Sequence, residues 1–161
     1  EIPLRLVGSE MCIRDRNCII HTHPLHAASL SMLEVPLEVS HMDNCPLYGD
    51  VAFLKDWPGV PVGNEEGVII SGALGDKRAI LLSHHGMLVA AGTVEEACVL
   101  ALQFERAARM QLLAMAAGKI QPIPPALGHE AHDWILTPKR SQVGFAYYAR
   151  RALRQHPDVL G

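Results

Sequence analysis

Two histidines separated by a single residue, His21 and His23, carry the first chemical signal in this sequence of 161 residues. In an extended strand residues i and i+2 point to the same side, so their imidazoles would stand about 6–7 Å apart at the backbone, within reach of one metal ion. The spacing alone says little, because nine histidines in a chain of this length make roughly 0.5 chance matches. The second signal is His85, which closes the apolar run Arg78-Ala-Ile-Leu-Leu-Ser83 and precedes Gly86, where glycine lets the backbone turn tightly beside a ligand. Three neutral imidazoles on one divalent ion leave coordination positions open, the pattern of a catalytic rather than a structural site.

These residues need elements to position them. Asn17 to His23 is a β-branched run suited to a buried strand, and Pro24 fits the first position of a helix with Leu25, Ala28, Met32 and Leu33 on one stripe. Leu37 to Val39 reads as a second strand, Asp43 to Gly49 as a turn, and Trp57 to Asn64 as a loop. Glu65 to Leu74 is a helix closed by Gly75, and Arg78 to Ser83 is a buried strand that delivers His84 and His85. Thr93-Val-Glu-Glu96 is a capping box, in which the hydroxyl and the carboxylate satisfy each other's free amides. It opens a long helix with Ala97, Leu100, Ala101, Phe104, Ala108, Leu112 and Met115 on its apolar face, stopped by Gly118. A mixed segment and a basic helix around Phe145 to Arg154 form a packing arm, and Trp57, Trp134, Tyr147 and Tyr148 are expected to pack. His129-Glu-Ala-His132 lacks the extra residue of a zinc-protease helix and reads as a polar loop.

Composition narrows the class. Hydrophobic residues are 49% and aromatics 5%, so the core is built from aliphatic side chains, as in an α/β domain. A formal charge of -3 without a Lys/Arg cluster excludes nucleic acid as a partner. Four scattered cysteines make no CxxC pair and point to a reducing cytoplasm, and neither a membrane span nor a leader peptide is indicated. Residues 5–16 have no periodicity and interrupt the order of motifs, so residues 1–16 read as a non-native segment and 17–161 as the domain.

The succession His21-Thr-His-Pro24, Ala79-Ile-Leu-Leu-Ser-His-His-Gly86 and Thr93-Val-Glu-Glu-Ala97 resembles the class II aldolase/adducin family in order and separation over about residues 17–118. The resemblance implies that His21, His23 and His85 bind one divalent metal, zinc first, with manganese, cobalt or iron as alternatives. His84 stands where relatives often carry Asn, and His26 recurs at its place as a supporting residue. Glu1, 20 residues before His21, is one position from a family glutamate that serves as acid/base and sometimes as ligand. Without gaps, the position of the proton-donating Tyr of the sugar-phosphate aldolases is Met42, which cannot transfer a proton, and His41 beside it is the candidate substitute.

The fold implied is a three-layer α/β/α domain with a central, largely antiparallel sheet, incomplete at its N-terminus, assembling as a homotetramer. The function implied is a metal-dependent lyase acting on a small hydroxy-carbonyl or hydroxy-acid substrate through an enediolate-type intermediate, by aldol cleavage or decarboxylation. Met42 and the segment 57–66 lean the reading toward the decarboxylases. The alternatives are a non-catalytic, adducin-like interaction module and a family epimerase or dehydratase. The family's N-terminal region, with most of its phosphate-binding loops, is missing from this sequence, so activity is expected of the parent protein rather than of this chain.

Overall fold

A computed structural model of the chain describes residues 16–56, 59 and 65–160. The segment read as non-native, apart from Arg16, and most of the loop after Asp56 lie outside the described residues. The central sheet has strand order β1-β4-β3-β2, from β1 (Cys18–Thr22), β2 (Val51–Leu54), β3 (Ala79–Leu82) and β4 (Gly86–Ala91). β1 with β4 and β3 with β4 are antiparallel, and β2 with β3 is parallel. The sheet is therefore mixed and largely antiparallel, in an α/β fold.

The alternation of strand side chains separates two cores. Ala79 and Leu81 of β3, with Met87, Val89 and Ala91 of β4, pack toward α1 (Leu25–Ser31) and α3 (Val94–Ala117). Ile80, Leu82 and Ala90 face the opposite side, against Leu74, Ile70 and Ala73 of α2 (Glu65–Leu74). Phe104, with no exposure, is the largest buried side chain of the α3 face. Beyond Gly118, α4 (Pro125–Ile135) packs on the 3-10 turn Met42–Leu47, and α5 (Pro138–Gln155) lies along α3. Among the described residues no helix is long and apolar enough to cross a membrane.

Several local expectations are corrected. α1 ends at Ser31, so the helical stripe does not reach Met32 or Leu33; Leu25, Met32 and Leu33 are 72%, 69% and 50% exposed, while Ala27, Leu30 and Ser31 are buried. Leu37 to Val39 joins no strand among the described residues; the Gln111 carboxamide of α3 instead bonds the backbone there, accepting from Glu38 N at 2.8 Å and donating to Pro36 O at 3.0 Å. The turn-rich segment after Asp43 is instead a 3-10 helix whose Asn44 to Leu47 are buried. Thr93 Oγ accepts from Glu96 N at 3.2 Å, but the Glu96 carboxylate turns to Arg78 Nη1 at 3.0 Å, so only half of the capping box forms. His129 and His132 lie on α4 rather than in a loop. Trp134 and Tyr147 stay more than half exposed, Trp134 beneath the Arg140 guanidinium at 3.6 Å.

Candidate metal centre

Chain topology brings the histidines together. β1 runs antiparallel to β4, with Thr22 opposite Met87, so the C-terminal end of β1 meets the start of β4. β3 and β4 pair through Leu82 and Gly86, which leaves Ser83, His84 and His85 as a three-residue hairpin loop beside that end. The required left-handed residue is His84, at φ 56°, a conformation that His and Asn tolerate better than most side chains. It is tied to Glu34, itself at φ 51°, by a 2.9 Å contact between His84 Nε2 and Glu34 Oε1. Gly86 therefore serves space rather than turning: its missing side chain is where His23 and the Thr22 carbonyl approach.

His21, His23 and His85 each offer a ring nitrogen, and these atoms all lie within 4.8 Å of one another. The ring centroids are 4.7 to 4.9 Å apart. Among the described residues this is the group of three His, Cys, Asp or Glu side chains close enough to hold one ion. His21 Nδ1 lies 2.9 Å from the Met87 carbonyl oxygen, which can only accept, so that nitrogen carries the proton and Nε2 keeps its lone pair. Nε2 of His21 is 3.1 Å from Nε2 of His23, and His23 and His21 are both exposed, so the cluster opens outward. Burial, and then repulsion by His21 and His23, holds His85 below the ordinary histidine pKa, with Glu66 pulling the other way. The uncharged imidazole that this favours is the form that ligates a metal. The donor set fits a borderline divalent ion such as zinc, with positions left open.

His26 stands beside the centre rather than in it. Its Nδ1 lies 2.6 Å from Glu105 Oε1, and the same carboxylate accepts from the amides of His26 and Ala27 at 3.0 and 2.9 Å. Pro24 at the helix cap offers no side-chain bond, so Glu105 of α3 supplies the cap from another element. His41 is not part of the histidine cluster: its Nδ1 accepts from Asp43 N at 3.2 Å and caps the 3-10 turn. It lines a cavity of about 620 Å³ with Met42, Cys45, Leu127, Glu130 and Trp134. Glu1 lies outside the described residues.

The sequence reading missed Glu66. This first-turn residue of α2 brings Oε1 to 3.7 Å from His85 Nδ1, with only 15% of its side chain exposed. No spacing relates it to either histidine motif, and only the packing of α2 beside the hairpin loop reveals it.

The class to which this chain belongs follows from motif, fold and site together. The family model described as Class II Aldolase and Adducin N-terminal domain matches residues 12–112, and the chain belongs to the class II aldolase/adducin family. It is 32% identical over 103 residues to the meiotically up-regulated gene 14 protein of Schizosaccharomyces pombe, covering 64% of this chain and 40% of that protein. It is 30% identical over 110 residues to decarboxylase NovR of Streptomyces niveus, covering 68% of this chain and 41% of that one. The solved structure of L-fuculose 1-phosphate aldolase from Glaciozyma antarctica PI12 superposes with a TM-score of 0.73 at 28% identity, covering 87% of this chain and 53% of that chain. The chain thus spans about half the length of such relatives or less, and two of the three are by name a decarboxylase and an aldolase.

Proposed function

We propose that the protein to which this chain belongs is a divalent-metal-dependent carbon–carbon lyase, cleaving a small hydroxy-carbonyl or hydroxy-acid substrate by aldol cleavage or decarboxylation. His21, His23 and His85 would hold the ion, zinc before manganese, cobalt or iron. The observation that carries this reading is the convergence of three ring nitrogens from two chain segments within 4.8 Å. When bound, the ion would supply Lewis acidity toward the charge that develops on substrate oxygens as the bond breaks. The chain's own part is orientation: Met87 fixes the tautomer of His21, the missing side chain of Gly86 admits His23, and the hairpin loop sets His85. The exposed side of His21 and His23 leaves substrate an approach. A homo-oligomer, as in the family, and a cytoplasmic setting belong to the same reading. Which donor reprotonates the carbon is assigned here to His41 or Glu1, in place of the Tyr replaced by Met42.

The test is a competition titration of the purified chain with Zn²⁺ against a chromophoric chelator. One equivalent should bind, and His85→Ala should abolish stoichiometric binding while the far-UV spectrum is kept. In the longer parent, chelation should remove turnover and a divalent ion restore it. Turnover that survives exhaustive chelation, or unchanged Zn²⁺ binding in His85→Ala, would overturn the reading in favour of a non-catalytic module.

A further inference from the structure

We infer that Glu66 is a positioning residue of the histidine centre: its carboxylate takes the Nδ1–H of His85 and so presents Nε2 to the ion. The inference rests on the metal reading above and extends it to a residue outside the histidine motifs. Glu66 Oε1 is buried and has no hydrogen-bond partner among the described residues. An orphaned carboxylate oxygen inside a protein is costly and calls for a partner. The group it faces is His85 Nδ1, at 3.7 Å. Closing that gap to a hydrogen bond of about 2.9 Å takes a side-chain adjustment of about 0.8 Å.

Three other accounts of Glu66 fail on the same observations. A favourable charge at the N-terminus of α2 would not require burial, and Glu65, in the same turn, has that benefit while remaining exposed. A direct ligand would place an oxygen among the converging atoms, and Glu66 is not among the residues of that group. The buried oxygen Oε1, the one that faces His85, cannot serve as an acid/base, which must reach substrate. Positioning also matches His21, whose Nδ1 is committed to the Met87 carbonyl and whose Nε2 faces the cluster. Each of these histidines would then be held from behind by an acceptor, an arrangement that fixes tautomer and ring orientation and raises ligand basicity.

The experiment titrates Zn²⁺ alone into the full chain against a chelator and reads histidine tautomers by ¹⁵N NMR of the metal-free chain. Wild type should show His85 protonated at Nδ1. Glu66→Ala should mix the tautomers and weaken Zn²⁺ binding by about 10–100-fold. Glu66→Gln, which keeps an acceptor oxygen, should regain at least half of that loss on a logarithmic scale, and Glu65→Ala should bind like wild type. Affinity within twofold of wild type in Glu66→Ala, Glu66→Gln no better than Glu66→Ala, or a wild-type His85 protonated at Nε2 would overturn the positioning role. In those cases a loss of binding in His85→Ala leaves the metal reading standing. Should wild type bind no Zn²⁺, the metal reading falls and takes this inference with it. If Glu66→Ala does not fold, the wild-type tautomer and the near-isosteric Glu66→Gln decide the question.

Discussion

Gly86 and His23 compete for the same space: a Cβ at Gly86 would stand 2.5 Å from His23 Cδ2 and 2.7 Å from the Thr22 carbonyl oxygen. The second contact is with backbone, which cannot swing aside, so Gly86→Ala must push β1 away from the hairpin loop or turn the His23 ring. Overpacking of this kind costs about 1–3 kcal/mol, and at roughly 2–4 °C per kcal/mol the melting temperature should fall by several degrees. Zn²⁺ affinity should drop with it, by roughly tenfold or more, because ligand orientation is lost. Gly72, on the exposed side of α2 with nothing within 4 Å of its Cβ position, is the control. Gly72→Ala should stabilise by about 0.5–1 kcal/mol. A Gly86→Ala chain that melts and binds like wild type would contradict the packing described.

Glu105 performs a task that the sequence of α1 cannot perform for itself. The helix has seven residues, too few to stand alone, and Pro24 at its cap has no side-chain bond to offer. Both Glu105 oxygens are spent on the free amides of His26 and Ala27 and on the His26 ring. Glu105→Ala should cost about 2 kcal/mol, since hydrogen bonds to a charged group contribute about 1.5–3 kcal/mol. Hydrogen exchange should speed up at the amides of residues 26 and 27 before it does in α3. Exchange protection unchanged there would mean that water replaces the carboxylate without loss.

What the sequence disclosed about this site was its periodicities, and what it hid was its contacts. His21 and His23 share a face because strand side chains alternate, and His85 follows an apolar run that could only be a buried strand. That the two meet depends on β4 lying between β1 and β3, and β4 was not anticipated, because its apolar residues follow a tight loop and begin with glycine. The stripe assigned to α1 failed since a 3.6-residue period was extended past Ser31, where the helix ends. Leu37 to Val39, read as a strand, is none, and the partner of its backbone is a side-chain amide that no strand pattern announces. Glu66 was out of reach for the same reason, being close to His85 only in space.

Cys45 should be inert toward alkylation in the folded chain. It has no exposed surface, and burial, then the nearby Asp43 carboxylate, raises its pKa above that of a free thiol. The thiolate is the reactive form, so the modification rate at neutral pH should be roughly tenfold or more slower than in denaturant. Peptide mass spectrometry after timed iodoacetamide exposure measures it site by site. Equal rates in the folded and denatured chain would show that the 3-10 turn opens readily, which its buried Asn44 to Leu47 argue against.

Gln111 binds the segment Pro36 to Glu38 to α3 with the pair of hydrogen bonds a neighbouring strand would make. The residue is 3% exposed, and its side chain donates to Pro36 O at 3.0 Å while accepting from Glu38 N at 2.8 Å. Gln111→Leu keeps most of the volume and removes both bonds, leaving a backbone donor and acceptor unpaired at the edge of the core. Each buried unsatisfied group costs about 1–3 kcal/mol, and partial access of water to Glu38 brings the pair to about 2 kcal/mol in all. The melting temperature should therefore fall by roughly 4–8 °C at 2–4 °C per kcal/mol. Hydrogen exchange at the Glu38 amide should rise in parallel, because its acceptor is gone, while amides of β3 and β4 stay protected. A loss of stability with Glu38 still protected would assign the effect to packing on α3 instead, and a variant melting within about 1 °C of wild type would show that water serves this segment as well as Gln111 does.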